Sequence, residues 1–415
     1  MMKSLRLNRE QKESGAVSMF VVIFAMLIIT VITISFLRLM MVDQQQASDN
    51  DLSQSAYDSA QAGVEDAKRA LLHYQQVCST TPSNCATLSD AISTSECNAG
   101  LRVANVVKSS DESGGDASHT GEIKVQQSQS GNDTALNQAY TCVTMSLETE
   151  DYIGSLAAGE SQLVPLIGKA DFDTVTVSWH SKDDITSGNG TVTLPGVSST
   201  HPLPVQSSWT SNTPALMRSQ LVQFGDTFTM TDFDMVNASG QSNANTVYLY
   251  PTSGVGSTNA SFTSLDNRKN SPADDPDADS ASTTPHPVKC TGSVTSGGYS
   301  CVMSLTLPTP IGGGNRTAFL RVTPFYNATH FKVVLSNGAP VASGSNIVKF
   351  KDVQPTIDST GRANNVFRRV QSRVDLYNTD FPYPDATIDV TNNFCKNFGV
   401  SDDPATYTAT NTCTP

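Results

Sequence analysis

Apolar positions fall into three successive regimes along the chain. From Ala16 to Leu37, twenty-two residues carry no charge. At about 1.5 Å per residue they predict a helix of roughly 33 Å, apolar on every side and long enough for a bilayer core of about 30 Å. Further on, the apolar residues thin to one stripe, Leu52, Ala56, Ala60, Val64, Ala67, Leu71 and Tyr74, at steps of four and three. That spacing predicts an amphipathic continuation. No proline precedes Pro82, and Gly63 is the only glycine between Ala16 and Pro82, so the two regimes join into a single predicted helix of about sixty residues, roughly 90 Å long. Residues 16–38 form its transmembrane or core-building part and residues 39–77 its amphipathic part. The second part requires a surface to pack against.

From about residue 78 the period changes. "AYTCVTMSL", "FDTVTVSW", "NTVYLYP", "YSCVMSLTL", "TAFLRVTPFY" and "HFKVVLSN" are short β-branched or aromatic runs separated by Gly, Ser, Asn and Pro clusters, the pattern of strands in a sandwich or meander. The predicted class is therefore α+β: a long N-terminal helix followed by a β-rich, sandwich-like ectodomain. Within it, the acidic Pro/Ser-rich stretch 268–287 is expected to separate a first β-rich subdomain (78–267) from a second β-rich portion (288–415). Near the end, Val366, Arg368, Val370, Ser372, Val374 and Leu376 alternate with Arg369 and Arg373, which predicts a strand with one apolar and one basic face.

Charge orients the helix. Lys3, Arg6, Arg9 and Lys12 precede the apolar run, whereas after Arg38 the next basic residue is Lys68, and Asp43, Asp49, Asp51 and Asp58 lie between. The positive-inside bias puts the N-terminus in the cytoplasm and the rest of the chain outside, a single-pass protein with an extracytoplasmic C-terminal domain. The run is too long for a secretory signal, which has an apolar region of about 7–15 residues. All eight cysteines lie beyond it, on the oxidising side, where disulfides are expected. The local pairs Cys290 with Cys301, across a Gly-rich hairpin turn, and Cys395 with Cys413 are the preferred candidates. The net charge of -13 and the lack of a basic stripe on the head argue against binding to a nucleic-acid backbone.

Candidate chemistry is sparse. Asp275, Asp277 and Asp279 stand at alternate positions, as in a calcium loop. The EF-hand glycine is replaced by Ser280 and no Glu stands at the twelfth position, so a solvated acidic linker is the preferred reading, with calcium the one cofactor in view. The six histidines show no metal spacing, and H-E-x-x-H, G-x-S-x-G and P-loop patterns are missing, so no catalytic residue is assigned and no enzyme is expected. Trp179 and Trp209, with Tyr248, Tyr250, Phe325 and Tyr326, could form an aromatic platform for sugars or a partner protein, but strand aromatics are more often core.

A basic leader ending in "ESG", then "AVSMFVV", an unbroken helix and "SAYDSAQAGVEDAKRALL" resemble type IV pilin-like proteins, the PilX-like minor pilins above all, and "STGRANNVFRRVQSRVDL" resembles the last strands of pilin-like proteins. The resemblance covers about the first seventy-five residues and that tail; the middle of the head matches none. It implies that residues 1–15 are a leader, that a prepilin peptidase cuts between Gly15 and Ala16, and that Ala16 becomes a methylated N-terminus. It implies assembly with other pilins through Phe20, Val21, Phe24, Met26, Leu27, Ile28 and Ile32, after a stage in membrane lipid. Where major pilins carry Glu at the fifth mature position, this chain has Phe20, which points to a minor or specialised subunit presenting its head to a host-cell or surface receptor. The alternatives are a pseudopilin of a secretion or DNA-uptake apparatus and a membrane-anchored surface binding protein.

Overall fold

A computed structural model of the chain describes residues 14–108, 121–125, 137–186, 191–196, 207, 209–224, 244–253, 256–261, 286–294, 297–312, 317–338 and 346–376. The first element is α1 (Ser14–Thr80), one unbroken helix of 67 residues. It runs three residues beyond the expected Val77 and stops where Thr81 turns to an extended φ of -138° ahead of Pro82, as the clash between a proline ring and the preceding residue requires. Pro82 then opens α2 (Pro82–Ile92), a position at which the missing N–H costs nothing. A five-residue helix, α3 (Ala99–Val103), follows. Neither short helix was expected in a region read as β-rich; their helical stretches are too short for periodicity to announce them.

Among the described residues fifteen strands, numbered in chain order, make two sheets. The first is antiparallel and four-stranded, β1 (Ile123–Lys124), β2 (Gln138–Thr149), β14 (Phe350–Ala363) and β15 (Val366–Arg373), in that order. The amphipathic part of α1 lies on it: Ala56, Ala60, Val64, Ala67, Leu71 and Tyr74 are all buried. Val64, Ala67, Leu71 and Tyr74 share a core with Leu88 and Ile92 of α2, Leu101 of α3, and Tyr140, Val143, Met145 and Ile357 of the sheet. At its closest point the packing is backbone to backbone, Gly361 against Ala56 and Ala60, and Ser359 Oγ donates to Ala60 O at 2.7 Å. The tail strand is confirmed as β15, with Arg368 turned to Ser53 of the helix at 2.8 Å and Arg369 on the other face, paired with Asp358.

The second sheet has eleven strands: β3 (Tyr152–Leu156), β4 (Gln162–Pro165), β5 (Phe172–Ser181), β6 (Leu216–Phe224), β7 (Ala244–Ser253), β8 (Asn259–Ser261), β9 (His286–Cys290), β10 (Tyr299–Ile311), β11 (Thr317–Phe325), β12 (Thr329–Ser336) and β13 (Ile347–Val348). Its path runs β13-β12-β5-β10-β9-β7-β6-β11-β4, with β3 also on β12 and β8 on β10. The two ends of the path are tied together, because Lys169 N donates to Lys349 O and Lys351 N to Ile167 O, at 2.8 and 3.0 Å. The sheet thus rolls around one core that includes Trp179, Phe172, Phe331, Leu249, Leu320 and Met303.

This topology corrects the expected division of the head. Most of the stretch 268–287 lies outside the described residues, but the strands on either side of it interleave: β7 pairs β9 in parallel, β5 pairs β10, and β6 pairs β11. The portions 78–267 and 288–415 are therefore not separate subdomains. Pairing by backbone hydrogen bonds ignores sequence distance, so a polar insertion marks a long connection as readily as a boundary. The two sheets also share chain: β14 supplies Phe350 and Val353 to the rolled sheet's core and Ile357 to the helix core.

Candidate assembly helix and head cleft

α1 has two solvation regimes. Phe20, Val21, Phe24, Met26, Leu27 and Ile32 are 59–76% exposed and Ile28 is 44% exposed, whereas six residues of the distal stripe from Ala56 to Tyr74 are buried by the head. Gly15 and Ala16 lie in the first helical turns. The apolar segment of this helix is long and apolar enough to cross a membrane by length and composition. Thr30, Thr33 and Ser35 place their hydroxyls on the carbonyls four residues back, at 2.7–2.8 Å, so these three hydroxyls are satisfied within the helix.

The junction of helix and head is tied by polar bonds as well as by packing. Tyr140 OH donates to Asp66 Oδ2 at 2.7 Å, Tyr74 OH to Asp352 Oδ1 at 3.0 Å, and Gln75 Nε2 to Leu376 O at 2.7 Å. Burial pushes the Asp352 carboxyl above the usual carboxylate range, the Tyr74 bond opposing the shift. Three disulfides staple the described head. Cys78 joins Cys85 across the α1–α2 corner, Cys97 joins Cys142 of β2, and Cys290 of β9 joins Cys301 of β10. The last is the hairpin pair expected from sequence; Cys395 and Cys413 lie outside the described residues, as do Asp275, Asp277 and Asp279. Among the described residues no group of three or more His, Cys, Asp or Glu side chains could hold a metal ion.

The aromatic candidates divide. Trp179 is wholly buried and donates from Nε1 to Ala215 O at 2.9 Å. Trp209 is also buried, stacked on Tyr326 at 4.8 Å and edge-on to Tyr250 at 5.9 Å. Tyr248 and Phe325 are half-buried beside them, with the Arg218 guanidinium 5.5 Å over the Phe325 ring. Both tryptophans therefore serve packing.

A different site is assembled by residues that, Arg373 apart, the sequence did not single out. A cleft of about 500 Å³ opens between the turn after β5 and the neighbouring strands β3, β10 and β12, lined among others by Ile153, Lys182, Asp183, Tyr299, His330 and Arg373. Ser181 starts a 3-10 turn, Lys182–Asp184, closed by a capping box: Asp183 N donates to Ser181 Oγ at 3.1 Å and Ser181 N to Asp184 Oδ2 at 2.7 Å. Asp184, its side chain 7% exposed, also accepts from His330 N and from His330 Nδ1 at 2.6 Å. An ionised carboxylate only accepts, so Nδ1 carries the hydrogen and the opposite nitrogen, Nε2, is the ring's second polar atom. Arg373 is clamped by Asp151 at 2.7 Å and donates to Asp151 O at 2.8 Å. Burial, reinforced by the Asp151 and Asp184 charges, raises the Tyr299 phenol, and Lys332 stands 5.4 Å over its ring.

Immediately before this turn, His180 has a left-handed backbone, φ 65°, and is 1% exposed. Its ring nitrogens have no hydrogen-bond partner among the described residues. Burial lowers its pKa, with the Asp184 charge acting the other way. Asp184 and His330 are 146 residues apart, and no spacing rule links them; only the β5–β12 pairing brings them together. The chain matches no protein-family model, no curated protein and no solved structure.

Proposed function

We propose that the chain is a minor pilin or pilin-like subunit of a type IV pilus, which assembles through its N-terminal helix and presents a large head for surface attachment. The observation that carries this reading is the division of α1. One end is docked on the four-stranded sheet by small residues at van der Waals distance, while the large apolar residues from Met19 to Val42 stand exposed. Those residues require an apolar environment. Membrane lipid supplies it first, with the N-terminus cytoplasmic, and the apolar helices of other pilins supply it after assembly, so that extraction exposes little apolar surface to water. Maturation is by prepilin peptidase between Gly15 and Ala16.

In this reading the rolled sheet is a sandwich-like body, with β5, β10 and β12 on one side and β6, β7 and β11 on the other. It performs no chemistry and serves display at the cell surface. Phe20 in place of the assembly Glu favours a specialised subunit, and it equally suits a permanent single-span anchor, the reading to be separated first.

The test is the intact mass and N-terminal sequence of protein recovered from its native cells, in membrane and sheared-surface fractions. A start at Ala16 with the protein in the sheared fraction is the expected result. A retained leader, found in membranes alone, sinks the pilin reading, and so does an unaltered product from a Gly15→Leu variant.

A further inference from the structure

We propose that the cleft between the Ser181–Asp184 turn and β12 is a binding site for a neutral saccharide. This rests on the attachment reading and names what the head attaches to.

The uncommitted polar groups of the cleft set the ligand's character. Lys182 has no ion-pair partner among the described residues and supplies a donor; Asp183, with no side-chain partner among them, supplies an acceptor. Nε2 of His330, its other nitrogen held by Asp184, has no hydrogen-bond partner among the described residues. The Tyr299 hydroxyl, like any phenol, is protonated at neutral pH and can donate as well as accept. One cation, one anion, a phenol and an imidazole nitrogen add up to a charge-balanced set of donors and acceptors. A sugar hydroxyl both donates and accepts, and fits such a set. A sulfate, phosphate or sialic acid meets Asp183 with its own negative charge; of the other cations near the cleft, Arg373 is already neutralised by Asp151, and Lys332 lies over the Tyr299 ring, outside the lining.

Shape and stiffness agree with this assignment. The volume, about 500 Å³, falls within the range of about 300–1,000 Å³ common to small-ligand sites. The exposed side chain of Ile153 and the ring of Tyr299 offer apolar surface to the C–H face of a pyranose. Gly297 and Gly298 line the cleft without side chains to fill it. The imidazole and the guanidinium are fixed before any ligand arrives, by Asp184 and Asp151 respectively, so their ordering is not charged against binding. The strained, buried His180 stands at the root of the turn that carries Lys182 and Asp183, and backbone strain of this kind persists where the surroundings hold a fixed constellation.

The test uses the full chain in a detergent without sugar headgroups, applied to an array of neutral, sialylated and sulfated oligosaccharides, with the strongest neutral hit titrated by calorimetry. Neutral glycans are expected to bind preferentially. The double variant Lys182→Ala/Asp183→Ala removes two exposed side chains and keeps the backbone capping bond, so it should melt with the wild type and bind at least tenfold more weakly; Tyr299→Phe should bind several-fold more weakly. Failure of the wild type to bind neutral glycans overturns the proposal. So does a preference for sialylated or sulfated ones, or a double variant that binds like the wild type. The two readings fail separately: a chain that reaches sheared filaments but binds no neutral glycan loses only this site, and one that binds glycan but never leaves the membrane loses only the pilus.

Discussion

Gly361 of β14 and Ala60 of α1 meet without space for a methyl group: a Cβ at position 361 would stand 2.1 Å from the Ala60 nitrogen and 2.2 Å from the Ala56 oxygen. This contact sets how close the helix lies to its sheet. The small residues Ala56 and Ala60 on one side and glycine on the other let backbones approach as larger residues would forbid.

Gly361→Ala should therefore lower stability by about 1–3 kcal/mol or more through overpacking, read as a fall in the urea midpoint of the full chain. Gly196→Ala is the control, since nothing lies within 4 Å of its added Cβ and its φ needs no left-handed freedom; it should leave the midpoint in place. Equal effects from the two would show that the helix does not ride on this contact.

Acid should strengthen the junction of helix and head. Asp352 is raised by burial, and Asp375, bonded to Gln354 and Tyr152, is raised for the same first cause. A carboxyl that titrates higher in the folded state than in the unfolded one takes up its proton first as the pH falls. Its contribution therefore favours folding below the unfolded pKa and is lost as pH rises through the folded one. Asp358, lowered by its bond to Arg369, acts in the opposite sense, so the readout must be a difference between proteins. Asp352→Asn keeps an acceptor for Tyr74 and tolerates the φ of 60° at this position. It should gain stability relative to wild type at neutral pH and lose that gain on acidification; parallel urea midpoints across the range would contradict the assignment.

Two arginines on neighbouring strands should differ sharply. Arg362, its side chain 3% exposed, is paired with Glu122 at 13%, and truncating it strands a desolvated carboxylate, at about 3–5 kcal/mol. Arg369 is paired with Asp358 but 65% exposed, and water screens that pair. Chemical unfolding of Arg362→Ala and Arg369→Ala should give a large loss for the first and almost none for the second.

The disulfides should rank by the loop they close. Cys97–Cys142 spans a sequence separation of 45 and Cys78–Cys85 one of 7. Chain-entropy reasoning gives about 4 kcal/mol for the first and about 2 kcal/mol for the second. Paired Cys→Ser variants, compared by melting under non-reducing conditions, test the order; equal losses would mean that native packing around the bridges, and not loop closure, dominates.

Legibility in the sequence varied with the range of the interactions. The stripe Ala56, Ala60, Val64, Ala67, Leu71 and Tyr74 could be read directly, because a helix closes its hydrogen bonds four residues away and each buried position is announced by its near neighbours. The Cys290–Cys301 bridge was legible for the same reason, being local to a hairpin. α2 and α3 were missed because neither is long enough to show a period. Thr80 and Pro82 carried the one usable signal, a helix stop followed at once by a helix start.

Sequence by itself determined the long helix, its apolar and amphipathic halves, the local hairpin disulfide and the β-rich character of the head, because each depends on composition or on contacts a few residues apart. Tertiary structure alone decided the rest. It set strands from both sides of residues 268–287 in one rolled sheet, and it brought β2 beside β14, Thr149 opposite Phe350. It also carried His330 to Asp184 to complete a cleft that no motif predicts. Strand pairing exchanges backbone bonds that are the same for every residue, so the choice of partner is made by the shape of the whole core and leaves no mark in a short stretch of chain.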